Sequence, residues 1–197
     1  GGAAIEVQVT GGTLKFTDPD NATLVDGELD LNAATLDVGT NTVTFSGATA
    51  SDIAAGGTLA MTIGTTVGKL TVSNAILTIA NAATITPTFT GNVSSGTALV
   101  IVDNVGNNLA VTAANITVTD TQSRFDFTLA EVGNTLTLTP TKVSNTSLSL
   151  SAAASAVNDA VDAALNADAA AATALNGITT AAALNTALET LAPEPAA

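Results

Sequence analysis

The 197-residue sequence carries 17 acidic residues against 4 basic ones, for a net charge of −13, and it contains neither Cys nor His. Without a patch of Lys and Arg we expect no binding to nucleic acid, and docking on anionic lipid is disfavoured for the same reason. Without Cys the fold is held by packing rather than disulfides, and without His a Ser-His-Asp triad cannot form.

Residues 1–147 predict many short strands. Apolar residues alternate there with Thr, Ser or Asp, which is the period of a strand with one buried face, and Gly, Asn and Asp mark the turns. The clearest segments are IEVQVT (5–10), GTLKFT (12–17), GELDLN (27–32), ATLDVG (34–39), NTVTFS (41–46), GTLAMTIG (57–64), GKLTVS (68–73), AILTIA (75–80), TITPTFTG (84–91), TALVIVDN (97–104), NLAVTA (108–113), NITVTD (115–120), RFDFTLA (124–130) and NTLTLTPT (134–141).

This spacing fits a β-solenoid or a β-sandwich. Only 3% of the residues are aromatic, so the core is thin and built from small aliphatic side chains, whereas a sandwich usually contains a few large aromatic anchors. The corner sequence GGTL also occurs twice, at 11–14 and 56–59. We therefore predict a mainly β fold, a right-handed parallel β-solenoid over residues 1–147, with a β-sandwich as the alternative.

The period changes near Ser151, and residues 148–197 predict an Ala-rich helical segment with a Pro-containing tail. Ser151 or Ser155 is a candidate N-cap of a first helix, and Gly177 is its candidate end. The apolar face of that helix is predicted at Val157, Val161 and Leu165. A second helix is predicted after Thr179 or Thr180, with an apolar face at Leu184, Leu188 and Leu191, and Pro193 and Pro195 end it.

The C-terminal residues ALETLAPE (187–194) match in spacing and type the phrase that precedes the β-barrel of bacterial autotransporters. The stretch at 158–188 resembles the helical linker of that family, and FDFTLAEVGNTLTLTPTK (125–142) is similar to the last rungs of pertactin-like passengers. The sequence thus resembles the C-terminal part of a type V passenger followed by its linker.

This resemblance implies a non-enzymatic cell-surface protein of a Gram-negative bacterium, extracellular and associated with the outer membrane. Its expected role is a passenger stalk or adhesive scaffold, and its expected partner is its own outer-membrane β-barrel in the precursor. Two alternatives remain open: a self-assembling surface-layer or filament subunit, and a carbohydrate-active β-helix enzyme. A homo-oligomer or filament is the second possible partner.

Few residues stand out as candidate sites, and no catalytic residue is assigned. The acidic stretch at 18–30 offers a weak Ca²⁺ site at Asp18, Asp20 and Asp26, although a solvated turn explains it as well because Ala22 replaces a third ligand. Asp120 and Asp126 lie on either side of Arg124, which is the one arginine of the chain. There the sequence favours a surface ion pair.

Overall fold

The computed structural model describes residues 6–17, 22–106 and 109–192. The protein is mainly β, with parallel sheets and a few C-terminal helices. The strands are β1 (Glu6–Val9), β2 (Thr13–Lys15), β3 (Ala22–Val25), β4 (Glu28–Leu31), β5 (Thr35–Asp37), β6 (Thr42–Phe45), β7 (Ser51–Ile53), β8 (Thr58–Ile63), β9 (Lys69–Ser73), β10 (Leu77–Ile79), β11 (Thr84–Phe89), β12 (Leu99–Val105), β13 (Thr117–Val118), β14 (Phe125–Val132) and β15 (Thr135–Lys142). A short 3₁₀-helix spans Ala113–Asn115, and the helices are α1 (Ala152–Ala160), α2 (Asp162–Leu165), α3 (Ala169–Asn176) and α4 (Ala181–Leu191).

Consecutive strands enter three sheets in turn, so that a strand pairs with the strand three places later. The orders are β1-β4-β7-β10 in sheet 1, β13-β11-β8-β5-β2 in sheet 2 and β14-β15-β12-β9-β6-β3 in sheet 3. The pairs between β1 and β12 run parallel, whereas β15 runs antiparallel to β12. The predicted mainly β class with a helical C-terminal segment is therefore confirmed.

The strand register places similar side chains next to one another in adjacent strands. Leu31 lies beside Val9 on one side and Ile53 on the other, and Leu36 lies between Leu14 and Leu59. Along β4, β5, β6 and β8 buried residues alternate with half-buried ones. Thr and Asp fill most of the outward positions, because they keep strand propensity or solubility without competing for the core. The period-2 pattern of the sequence thus becomes columns of buried aliphatic side chains.

The same corner precedes several strands of sheet 2. The second residue before the first Thr of β5, β8 and β11 has a positive φ: +49° at Ala33, +80° at Gly56 and +65° at Ala82. The Gly56 N–H donates to the Ala82 carbonyl (3.2 Å) and the Ala82 N–H to the Asn115 carbonyl (3.0 Å). These bonds from corner to corner stabilise a conformation that Ala adopts only at a cost.

Backbone segments approach closely at Gly68. A Cβ at this position would lie 1.9 Å from the Gly39 carbonyl oxygen. Since that distance is far inside van der Waals contact, only glycine fits here.

The chain divides into two compact units. Unit 1 comprises 1–88, 98–120 and 128–139, and unit 2 comprises 89–97, 121–127 and 140–197. Unit 2 therefore includes two earlier segments besides the helices. The predicted domain boundary between residues 147 and 148 stays a prediction.

The helical predictions are partly right. Ser151 caps α1 by accepting from the Ala154 N–H (3.2 Å), and Thr180 caps α4. The single helix predicted from Ser151 to Gly177 is wrong, because α1, α2 and α3 divide this stretch. Asp168 interrupts the helix by accepting hydrogen bonds from the backbone N–H groups of Ala170 and Ala171, a typical preference of Asp.

The predicted apolar faces also need correction. Leu165, Leu184 and Leu188 are buried as expected, but Leu191 is 59% exposed. Val157 and Val161 are half-buried and pack against the apolar core of the helices as predicted, and Ala154 and Asn158 are the fully buried residues of α1. Pro193 and Pro195 lie outside the described residues, and α4 ends at Leu191.

Candidate functional site

Arg124 lies just before β14, and its side chain is fully buried. The predicted surface ion pair is therefore wrong. A charged side chain leaves water only when other groups replace its hydration, so the interior around Arg124 has to supply hydrogen-bond acceptors. Those acceptors come from three helices of unit 2.

Each nitrogen of the guanidinium group donates to a different helix. Nε donates to Asn158 Oδ1 of α1 (2.9 Å), Nη1 to Asn176 Oδ1 of α3 (2.9 Å) and Nη2 to Asp162 Oδ1 of α2. The planar fork of arginine suits this task, because its donors diverge in fixed directions. The guanidinium carbon also lies 5.5 Å from the centre of the Phe125 ring, within cation–π range.

Lys142, at the end of β15, supplies a second positive charge. Its Nζ donates to Asp162 Oδ2 (3.0 Å) and to the Asn158 carbonyl. The Asp162 side chain is 46% exposed, so it joins the buried guanidinium to solvent. We call Arg124, Lys142, Asn158, Asp162 and Asn176 the Arg124 cluster.

Opposing effects act on the pKa of Asp162. Partial burial raises this pKa, but the hydrogen bonds and positive charges of Lys142 and Arg124 lower it more, and the net result lies below the usual value. Asp162 is therefore ionised at neutral pH, and its charge compensates the buried guanidinium.

Further amides extend the Arg124 cluster to its surroundings. Asn158 Nδ2 donates to Asn145 Oδ1 (2.7 Å), Asn145 Nδ2 to Asp159 Oδ1 (3.0 Å), and Asn176 Nδ2 to the Gly91 carbonyl (3.1 Å). Acceptors and donors thus satisfy one another across helices, loops and strand ends of unit 2. The charged groups and amides of the cluster bind one another. These bonds hold the backbone segments of unit 2 in place.

The sequence contained a signal for this cluster that composition alone does not reveal. Asn158 and Asn176 interrupt an Ala-rich segment. Asn is a poor helix former, so its presence inside such helices indicates a specific hydrogen-bond partner. The partner, Arg124, is 34 and 52 residues away, and no local pattern links it to them.

A second cluster lies on the outer face of sheet 1. The register pairs Glu6 with Glu28 and Asp30 with Asp52, and we call these four residues the acidic column. Glu28 and Asp30 belong to the acidic stretch at 18–30. Glu6 and Asp52 were missed, because only the parallel register brings them alongside.

Hydrogen bonding, burial and neighbouring like charges raise the pKa of two groups in the acidic column. A hydrogen bond with Asp30, then burial and the charges of Asp30 and Glu28, raise the pKa of Glu6. Burial and the charge of Asp30 raise the pKa of Asp52. The surroundings of Glu6 and Asp52 thus disfavour their ionised forms, whereas those of Asp162 favour its ionised form.

The candidate Ca²⁺ site remains a prediction. Asp18 and Asp20 lie outside the described residues, and Asp26 is exposed in the turn after β3. Among the residues that the structure does describe, no group of three or more His, Cys, Asp or Glu side chains could hold a metal ion.

Threonines form a column on sheet 2. Thr13, Thr35 and Thr58 occupy paired positions at the starts of β2, β5 and β8, and Thr84 pairs with Thr117. Adjacent strands are about 4.8 Å apart, so the hydroxyl groups repeat at that spacing. The outer face of sheet 2 is thereby polar and nearly uncharged at this position.

The helical part of unit 2 contains an apolar groove of about 610 Å³. It is lined by Ala153, Ala156, Val157, Ala160, Val161, Leu191 and Ala192. Within the described part of the chain, none of the helices is long and apolar enough to cross a membrane.

Comparisons of the chain with models of known protein families, with curated proteins and with solved structures found no match.

Proposed function

We propose that the chain is a non-enzymatic cell-surface scaffold, the C-terminal part of an autotransporter passenger, and that its three parallel sheets are the faces of a right-handed β-solenoid. The observation that supports this best is the strand order, in which each of the first nine strands pairs with the strand three places later. A chain that winds through three sheets in turn generates this order.

The interior is consistent with such a scaffold. Small aliphatic residues repeat in register, as in the series Val9, Leu31 and Ile53, and each added repeat buries apolar surface worth about 25 cal/mol per Å². Repeats stabilised mainly by their neighbours can form one after another along the chain. Outside a pore, this sequential folding would favour outward movement of the passenger.

The C-terminal end supports the same proposal through its resemblance to the family. The hairpin of β14 and β15 includes the stretch that is similar to the last rungs of pertactin-like passengers. The segment after it would join the passenger to its partner, an outer-membrane β-barrel, and would place the protein on the surface of a Gram-negative cell. In the structure α1 and α4 pack together, so passage through a pore requires them to separate.

Export tests this proposal. The chain is fused in front of an autotransporter barrel in a Gram-negative bacterium, and intact cells are treated with protease. We expect the chain to be cleaved at the cell surface when the barrel is present and to be protected when a barrel strand is deleted. A chain that stays in the periplasm despite an inserted barrel contradicts the proposal.

A specific observation also favours the self-assembling subunit as a second candidate. Among the described residues, β1, β2 and β3 form the outer edges of the three sheets, and the side chains of Val7, Val9 and Leu14 are only half-buried there. Open strand edges with apolar side chains pair readily with other chains. Light scattering across a hundredfold range of concentration tests this self-assembly. A Val9→Lys variant should reduce assembly, and the control Thr78→Lys should not. A protein that stays monomeric at every concentration excludes this candidate.

A further inference from the structure

Helices α1, α2 and α3 are too short to be stable by themselves. They contain nine, four and eight residues, whereas an isolated helix needs about 12–15 residues even when Ala-rich. They share an apolar core with α4, in which α1 and α3 contribute the small side chains Ala154 and Ala172 beside leucines such as Leu165 and Leu175. Burial of Ala contributes little compared with Leu. Polar interactions therefore add to the stability of these helices.

The Arg124 cluster supplies them from a single point. One buried guanidinium binds Asn158, Asp162 and Asn176, which belong to α1, α2 and α3 in that order. When one partner of a buried charge is lost, the charge left behind is strongly destabilising. Release of α2 removes the carboxylate and leaves the buried charge unpaired, and release of α1 or α3 removes one of its two amide acceptors. Because all three helices bind the same guanidinium, their stabilities are coupled.

Helix α4 shares the apolar core of α1, α2 and α3 but differs from them in its polar contacts. Leu184 and Leu188 are fully buried, and the Asn185 side chain accepts a hydrogen bond from the Ser151 N–H (2.7 Å). No hydrogen bond or ion pair among the described residues joins α4 to the guanidinium of Arg124. Its stability is accordingly less dependent on that charge.

We propose that the Arg124 cluster is a conformational latch, by which α1, α2 and α3 open and close as one unit while the strands of unit 1 stay folded. The closed state requires the guanidinium, its carboxylate and both amides together. The open state leaves an extended, Ala-rich segment with small side chains. If the proposed function holds, the open state is the one that a narrow pore admits, and closure after export opposes return.

Hydrogen exchange followed by mass spectrometry tests the latch in the purified full chain at neutral pH. In the wild type we expect amides of α1, α2 and α3 to exchange with one common protection factor. In Arg124→Gln these factors should fall together by about 100-fold or more, while those of β8 and β9 change by less than about twofold. Lys69→Gln, which removes a partly exposed charge in unit 1, is the control and should leave all three helices unchanged.

Two results would overturn the latch. One is wild-type protection of the three helices in Arg124→Gln, and the other is an equal loss in the helices and in the strands.

A milder variant keeps the test informative if Arg124→Gln folds poorly. Asn176→Ala removes one acceptor at the end of α3, and the latch predicts a loss of protection of about tenfold in α1 and α2 as well as α3. A loss confined to α3 contradicts the coupling. Export of the barrel fusion is measured separately. If export fails but the three helices lose protection together, the proposed function is wrong and the latch stands. If export succeeds but the helices lose protection independently, only the latch is wrong.

Discussion

The two units are stabilised by different physical effects. In unit 1 aliphatic side chains stack in register, and a residue such as Leu36 has the same kind of neighbour on both sides. In unit 2 the helices are Ala-rich, and a buried arginine with its amide and carboxylate partners holds three of them. Regular repetition thus stabilises the first unit, whereas an apolar helical core and one irregular polar cluster stabilise the second.

The carboxylates of the two units also differ in their surroundings and in their pKa values. Asp162 lies between two cations, and its pKa is lowered. Glu6 and Asp52 face other carboxylates, and their pKa values are raised. The comparison teaches that a strongly acidic chain uses two of its four basic residues at one place, where a buried charge needs compensation.

The largest expected effect comes from the core of unit 1. Leu36→Ala removes a fully buried side chain from a column and leaves a cavity, so we expect a loss of about 2–5 kcal/mol in the free energy of unfolding. Urea denaturation measures it. The control is Leu191→Ala, because Leu191 is 59% exposed, and its change should stay within about 0.5 kcal/mol. Equal losses in the two variants would mean that the columns do not carry the stability of unit 1.

The next effect separates steric overlap from backbone strain. Gly68→Ala places a Cβ against the Gly39 carbonyl and should cost about 1–3 kcal/mol or more, because the backbone has to move. Gly56→Ala meets no atom within 4 Å, and its positive-φ strain of about 1 kcal/mol is offset by about 0.5–1 kcal/mol of chain entropy, so its net cost should stay below about 0.5 kcal/mol. Denaturation midpoints of the two variants compare these costs. If Gly56→Ala is the more damaging variant, the inferred close approach at Gly68 is wrong.

Acid should affect the two units in opposite directions. The lowered pKa of Asp162 means that its stabilising contribution is complete above the unfolded value, about 3.8, and is lost as the pH falls through the folded value. The raised pKa values of Glu6 and Asp52 give a contribution that is present at low pH and lost as the pH rises through their folded values. Mild acid therefore relieves the acidic column before stronger acid opens the Arg124 cluster.

Hydrogen exchange at several pH values, corrected for intrinsic rates, measures this difference. Protection of β4 and β7 should rise slightly from pH 7 to pH 4, and α1–α3 should lose protection only below about pH 4. In Asp52→Asn the rise should become smaller. Loss of helix protection above pH 5 would contradict the assignment of Asp162 as the acid-sensitive group.

Much of unit 1 was predictable because its rules are local. Period-2 alternation identified strands such as GELDLN at 27–32, and Gly and Asn identified corners. The partner of each strand was less accessible, since pairing depends on register along the whole chain. Asp30 lies in the predicted strand at 27–32, but Asp52 lies in β7, where no strand was predicted, so the pairing of the two residues was not foreseen.

Unit 2 was harder to predict for a physical reason. Its helix caps, Ser151 and Thr180, follow local chemistry and were found among the candidates. Arg124 was assigned to a surface ion pair because Asp120 and Asp126 lie close to it in the sequence and the chain has too few cations for a binding groove. Its burial depends on three acceptors from distant helices, and no window of sequence around residue 124 contains them.

The smallest expected effect concerns the corners of sheet 2. Ala33 and Ala82 have the positive φ that Gly56 has at the equivalent corner. Glycine relieves about 1 kcal/mol of strain there, but its greater chain entropy in the unfolded state costs about 0.5–1 kcal/mol, so Ala33→Gly should range from neutral to about 0.5 kcal/mol more stable. Ala60→Gly, inside β8, is the control and should lose about 0.5–1 kcal/mol because it has only the entropic cost. Paired urea curves measure the difference. If both variants lose the same free energy of unfolding, the corner at Ala33 is unstrained in solution. The distinction between regular repeats and strained corners in unit 1 then has to be abandoned.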